Sequence, residues 1–271
     1  MSMEQTPKPV TAKIPRQKKG EQNPHERNHN FLEVTYNYTA EQALLEAKRC
    51  LQCKKPLCVD GCPVGINIPG FIQKIVDGDL DAANDVIKQD NFLPAVCGRV
   101  CPQESQCEGS CILSRKGDAV AIGNLERYVA DTAAAKGAAK LPKITDNGKK
   151  VAVIGSGPSG LTCAAELRVM GYGVTVFEAL HVAGGVLVYG IPEFRLPKKI
   201  VQSEIDFLEA MGVDFKRNYL IGKILTIDDL FANGYSAVYI ASGAGFPGFM
   251  NIPGEDLNGV YSANEYLTRI N

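Results

Sequence analysis

Eight of the nine cysteines lie between Cys50 and Cys111, and only Cys163 falls outside that stretch. Such crowding has to be served by cross-links or by metal. The N-terminus, MSMEQTPKPVTAKIPRQKKG, lacks the apolar centre of a secretory signal. The sequence therefore reads as cytoplasmic, where thiols stay reduced. In that setting clustered cysteines point to metal or redox use rather than to disulfides.

The spacing narrows the choice. Cys50, Cys53, Cys58 and Cys62 form C-x2-C-x4-C-x3-C, with Pro63 directly after. Cys97, Cys101, Cys107 and Cys111 form C-x3-C-x5-C-x3-C, with Pro102 after Cys101. A C-x2-C pair lets two thiolates reach one centre, and a proline after a cysteine matches the end of the bacterial ferredoxin run. Structural zinc favours two compact pairs across a longer spacer. Only one C-x2-C is present, and none of the three histidines (His25, His29, His181) lies among the cysteines. The donor type and spacing favour iron–sulfur clusters, with a zinc scaffold as the rival. Cys163, in LTCAAEL, reads as a small core residue.

Helical signals surround these cysteines. Thr39 and Gln42 suit a capping box for a helix running toward Cys50, with Leu44, Ala47 and Leu51 on one face. Pro69 suits the first turn of a helix carrying Phe71, Ile72, Ile75 and Val76. Further helices are expected from near Asp81 and from near Ile122, and no strand pattern precedes Val151. Residues 1–30 are polar, basic and proline-containing, and read as an extended arm laid over a partner domain or as a frayed tail. Residues 31–135 read as an all-α iron–sulfur domain. Residues 136–149, rich in Gly, Lys, Pro and Asn, read as a linker.

From residue 150 the pattern changes to α/β. Val151–Ile154 reads as a buried strand, Gly155-Ser-Gly-Pro-Ser-Gly160 follows it, and a helix runs on to Gly171. Val174–Phe177 is a second strand closing on Glu178. G-x-G-x-x-G is weak alone, but between a strand and a helix, with an acid after the second strand, it is a dinucleotide fingerprint. Gly155 serves the tight turn, Gly157 the approach of a pyrophosphate, and Gly160 the packing of helix on strand. The helix N-terminus favours phosphate. Glu178 suits ribose hydroxyls and disfavours a 2′-phosphate, so FAD or NAD fits better than NADP. A glycine-rich segment, His181–Pro192, is expected to bring backbone against a flat ligand. A helix over Lys198–Met211 and a third strand over Ala237–Ala241 complete a Rossmann-like domain over residues 150–271.

The 271 residues suit about two domains. Lys and Arg number 29 against 30 Asp and Glu, which argues against a nucleic-acid binder. No apolar run is long enough to span a membrane.

The stretches RCLQCKKPLCVDGCPVGINIPGF, CGRVCPQESQCEGSC, IGNLERY, VAVIGSGPSGL and GGVLVYGIPEFRLPK cover nearly the whole chain. In combination they resemble the small (beta) subunit of NADPH-dependent glutamate synthase. They are also similar to the large subunit of NADH-dependent ferredoxin:NADP oxidoreductase and to the N-terminal part of dihydropyrimidine dehydrogenase. The resemblance implies two [4Fe–4S] clusters and FAD. By position, Cys50, Cys53, Cys58 and Cys111 would hold one cluster, and Cys62, Cys101 and Cys107 the other. The LERY-type segment would supply its fourth ligand, Glu126, where counting cysteines alone would choose Cys97. The FAD positions would be Gly155, Gly157, Pro158, Ser159, Gly160, Leu161, Glu178, Gly184, Gly185, Val186 and Arg195. Family members carry a nicotinamide-binding domain inserted after NGVYSANEYLTRIN, where this sequence reaches Asn271, so the FAD domain is expected to be incomplete.

The expected function is that of an electron-transfer oxidoreductase subunit. Electrons would move between NADPH or NADH, FAD and the clusters, to or from a partner: a glutamate synthase large subunit, or a ferredoxin-linked or hydrogenase-like subunit. The rival reading is a non-catalytic iron–sulfur and flavin adaptor of a larger complex.

Overall fold

The computed structural model describes residues 14–137 and 141–271. The first half is built of helices whose starts are written in their caps. Helix α1 (Ala40–Ala47) opens on a reciprocal capping box: Gln42 N donates to Thr39 Oγ1 at 3.2 Å and Thr39 N to Gln42 Oε1 at 2.9 Å. Helix α2 (Ile68–Val76) opens on the Asn67 side chain with a proline in its first turn, and buries Ile68, Phe71, Ile72 and Ile75. Asp79 caps α3 (Leu80–Lys88), which adds Ala83 and Ile87 to the same core. Leu51, expected on the inner face of α1, lies beyond the helix and is 61% exposed. It belongs to a cysteine loop, not to a helix.

Two further helices, α4 (Pro94–Val100) and α5 (Ile122–Ala135), pack closely. A Cβ on Gly98 would lie 2.6 Å from the backbone nitrogen of Arg127, so only glycine permits this approach. The sequence left α4 unread, because a seven-residue helix between Pro94 and Pro102 is too short to show a period.

Of the N-terminal arm, residues 1–13 lie outside the described residues. From Ile14 onward it is held on this chain's own helical domain. Gln17 N donates to Glu46 at 2.6 Å, and Arg16 pairs with Glu108 at 2.6 Å. Arg99, itself buried, pairs with Glu33 at 2.9 Å and with Asp131 at 2.8 Å.

The second half is a parallel four-stranded sheet in the order β3-β2-β1-β4. Strand β1 is Lys150–Ile154 and leads through the glycine turn to α6 (Pro158–Val169) and β2 (Gly173–Glu178). Helix α7 (Lys198–Ala210) returns the chain to β3 (Val213–Arg217), and α8 (Ile227–Ala232) to β4 (Ala237–Ile240). The strand expected third is thus the fourth. β3 was missed because it is a half-exposed edge strand with three charged residues and no continuous apolar run. A last helix, α9, spans Ala263–Ile270.

The two halves share apolar contacts. Phe92, Leu93 and Val96 belong to the same core as Val153, Leu161, Val176 and Ile205. The start of the helical domain adds a backbone bond from Val34 N to Phe194 O, 2.9 Å. Within the expected linker, Asp146 pairs with Arg168 at 2.6 Å and Asn147 N bonds Gly171 O at 2.9 Å, so this part is fastened to the sheet domain. Residues 138–140 lie outside the described residues.

Candidate functional site

Two cysteine groups form in the helical half. Cys50, Cys53, Cys58 and Cys111 line one cavity of about 80 Å³, closed behind by Ile68, Ile72, Val120 and Ile122. The loop after α1, the single turn Leu57–Asp60 and the start of a 3-10 turn at Ile112 bring them there. Among the described residues no three His, Cys, Asp or Glu side chains close on one point as a single ion requires. The thiols stand around a space instead. Burial pushes the Cys58 thiol up to about 11, and raises Cys50 as well. Iron would have to displace these protons, so loading releases acid.

The second group gathers Cys62, Cys101, Cys107, Cys97 and Glu126. Cys107 feels the charges of Glu126 and Cys62, and Glu126 feels that of Cys101. Burial is the larger cause in both, pushing Cys107 up to about 12 and the Glu126 carboxyl up to about 8. The Cys97 thiol beside it lowers Cys101 to about 7, and Cys97 is raised in turn. The structure therefore sets Cys97 beside Cys101, with Glu126 close enough for its charge to act on both Cys97 and Cys107. It also places there Asn91, which the sequence did not single out. Asn91 Nδ2 donates to Glu126 Oε1 at 2.8 Å, and Cys97 Sγ lies 3.8 Å from Asn91 Oδ1. Nothing in the loop before Phe92 marks this asparagine in a single sequence.

The dinucleotide candidates meet at the C-terminal edge of the sheet. Gly155, at φ +102°, lets β1 pass the carbonyl of Ala241 after β4, and Gly160 lies against the carbonyl of Gly155. A Cβ on either would strike a carbonyl oxygen. Gly157 differs: a Cβ there meets nothing within 4 Å. This open face at the start of α6 is where a pyrophosphate could sit. Pro158 starts the helix, Leu161 is fully buried beneath it, and Ser159 Oγ reaches the Tyr239 hydroxyl at 3.0 Å.

Glu178 is buried and already engaged. It accepts from Ser156 N at 3.0 Å, from Ser156 Oγ at 2.5 Å and from Leu180 N at 2.8 Å. A carboxylate offers about four acceptor sites, so one remains for a ribose hydroxyl. Ser156, unremarked in the sequence, ties the glycine turn to the second glycine segment by accepting from Gly184 N at 2.9 Å. Gly184 and Gly185 have φ of +123° and +52°, and a Cβ on Gly185 would lie 2.8 Å from Gly157 Cα. Val186 and Arg195 are exposed.

The chain thus joins a cysteine-rich helical domain to a parallel-sheet domain with a dinucleotide-type glycine turn. Residues 27–138 match the family described as dihydropyrimidine dehydrogenase domain II, 4Fe-4S cluster. Residues 149–269 match the pyridine nucleotide-disulphide oxidoreductases. The chain is 39% identical over 242 residues to the NADPH glutamate synthase small chain of Escherichia coli (strain K12), covering 89% of this chain and 51% of that one. It is 40% identical over 242 residues to the same subunit of Halomonas elongata, with the same coverage. It is 38% identical over 224 residues to the NAD-dependent dihydropyrimidine dehydrogenase subunit PreT of Escherichia coli O157:H7, covering 81% of this chain and 54% of that one. The chain is similar to glutamate synthase small subunits over about nine-tenths of its own length, and it spans about half the length of these curated relatives. No helix among the described residues is long and apolar enough to cross a membrane.

Proposed function

We propose that the chain is the iron–sulfur and flavin portion of an NAD(P)H-linked oxidoreductase subunit, passing electrons between a nicotinamide, FAD and two [4Fe–4S] clusters. Its domains are the arm 1–30, the cluster domain 31–135, the linker 136–149 and the FAD domain 150–271. Cys50, Cys53, Cys58 and Cys111 hold the first cluster; Cys62, Cys101, Cys107 and Glu126 hold the second. Gly155, Gly157, Pro158, Ser159, Gly160, Leu161, Glu178, Gly184, Gly185, Val186 and Arg195 form the FAD site. The partner is a second oxidoreductase subunit of the glutamate synthase large-subunit kind, in the reducing cytosol.

The observation that carries this reading is the cavity walled by Cys50, Cys53, Cys58 and Cys111, whose four thiols come from both ends of the cysteine-rich stretch. Four soft donors in an apolar wall suit iron and sulfide. When bound, FAD exchanges two electrons with a nicotinamide and one at a time with a cluster. The protein's own work is to hold the carriers still. The Gly157 face would admit a pyrophosphate, Glu178 and Ser156 lock the turn beneath it, and Ile68, Ile72, Val120 and Ile122 would shield one side of a cluster held by the four thiols. The shared core of Phe92, Leu93 and Val96 keeps the two domains in register.

Rapid mixing of the complete, cofactor-loaded assembly with NADPH under anoxia tests the route. Flavin absorbance is expected to bleach, followed by reduction of the clusters. A loaded assembly whose flavin does not bleach with NADPH or NADH is an adaptor, and the proposed activity fails.

A further inference from the structure

Asn91 lies between the two rival donors of the second cysteine group, and it is only 4% exposed. Its amide has one orientation. Leu93 N donates to Asn91 Oδ1 at 2.9 Å, so the carbonyl end is fixed toward Leu93. Turning the amide over would set Nδ2 against that N–H, donor facing donor. Nδ2 therefore points to Glu126 Oε1, at 2.8 Å. The same Oδ1 that accepts from Leu93 faces Cys97 Sγ at 3.8 Å. An N–H is satisfied by a lone pair, which a carboxylate offers.

We propose that Asn91 is a positioning residue of the second cluster, holding Glu126 in place as its oxygen donor ahead of the neighbouring Cys97. This rests on the cluster assignment proposed above and deepens it. Some such device is required, because thiolate is the softer ligand and would displace a carboxylate from iron if both were free to bind. Both donors are within reach, since Gly98 lets α4 and α5 approach until an added Cβ would lie 2.6 Å from Arg127 N. The fixed Nδ2 orients the Glu126 carboxylate and so favours the oxygen ligand.

The test is electron paramagnetic resonance of the reduced, fully loaded protein, with the first cluster's signal as an internal control of folding. In Asn91→Leu the second cluster's signal is expected to move to that of a four-thiolate cluster. The Cys97 Sγ–Fe bond forms, the Glu126 O–Fe bond breaks, and the thiol proton passes to the released carboxylate, with no change in electron count. Adding Cys97→Ser to Asn91→Leu should abolish the shifted signal, while Cys97→Ser alone keeps the wild-type one. A wild-type second signal in Asn91→Leu, beside an intact first cluster, overturns the proposal. If Asn91→Leu loses the first signal too, Asn91→Asp decides by the same criterion, since it keeps the acceptor for Leu93 and turns a charge toward Glu126. Loss of the second signal in Cys97→Ser, with Glu126→Ala unchanged, overturns the Glu126 assignment itself and so is distinguishable.

Discussion

At the scale of residues, the three fingerprint glycines do different work, and this is testable. Gly160→Ala drives a methyl into the carbonyl of Gly155 and should cost about 1–3 kcal/mol of stability. Gly157→Ala meets nothing within 4 Å at an ordinary extended φ of −66°, so the flavin-free protein should melt within about 0.5 kcal/mol of wild type. The same variant should bind FAD markedly more weakly, which thermal melts paired with flavin titration would resolve. Away from the cofactors, Glu204 on α7 is buried against the other half of the molecule. Burial pushes its carboxyl up to about 7 from 4.5, against the opposing pull of Lys88, Ala95 N and Arg99, while Asp131 adds to the rise. Burial also draws Lys88 down. The folded carboxyl binds its proton more tightly than the unfolded one. Its contribution is therefore complete below pH 4.5 and is lost as the pH rises through 7, by up to about 3 kcal/mol. Glu204→Gln should flatten that slope in urea melts taken between pH 4.5 and 7.5; an unchanged slope would locate the dependence elsewhere.

At the scale of elements, legibility followed the strength of local chemistry. The Thr39–Gln42 box, Pro69 in a first turn, and the strand, glycine turn and helix at Val151–Gly171 were all readable, because each needs particular residues at fixed offsets. The helix α4 and the edge strand β3 were not, because neither is long or apolar enough to show a period. Nor was Glu46, a carboxylate with no exposed surface that joins Arg49, Gln17 N and Ala121 N. No local pattern reports a partner 75 positions away. In the candidate site the cysteines stood out by number, whereas Asn91 and Ser156 act through contacts that only the fold creates. The crossing of α4 and α5 supplies its own test. Gly98→Ala should destabilise by about 1–3 kcal/mol, and should perturb the second cluster's resonance while sparing the first.

At the scale of the whole molecule, the cluster domain and the sheet domain are tied by a common apolar core and by the backbone bond from Val34 to Phe194. Phe92→Ala should cost about 3–5 kcal/mol. Because Phe92 packs with Val153 and Leu161, the loss should be felt in flavin retention as well as in cluster stability. Two domains that merely touched would confine it to one. All of this supposes that the cysteine-rich half exists to cage iron and sulfide. Iron and acid-labile sulfide analysis of the protein purified under anoxia tests that supposition most directly. The account predicts about eight of each per chain, from two four-iron clusters; protein free of iron, or carrying stoichiometric zinc in its place, would contradict it.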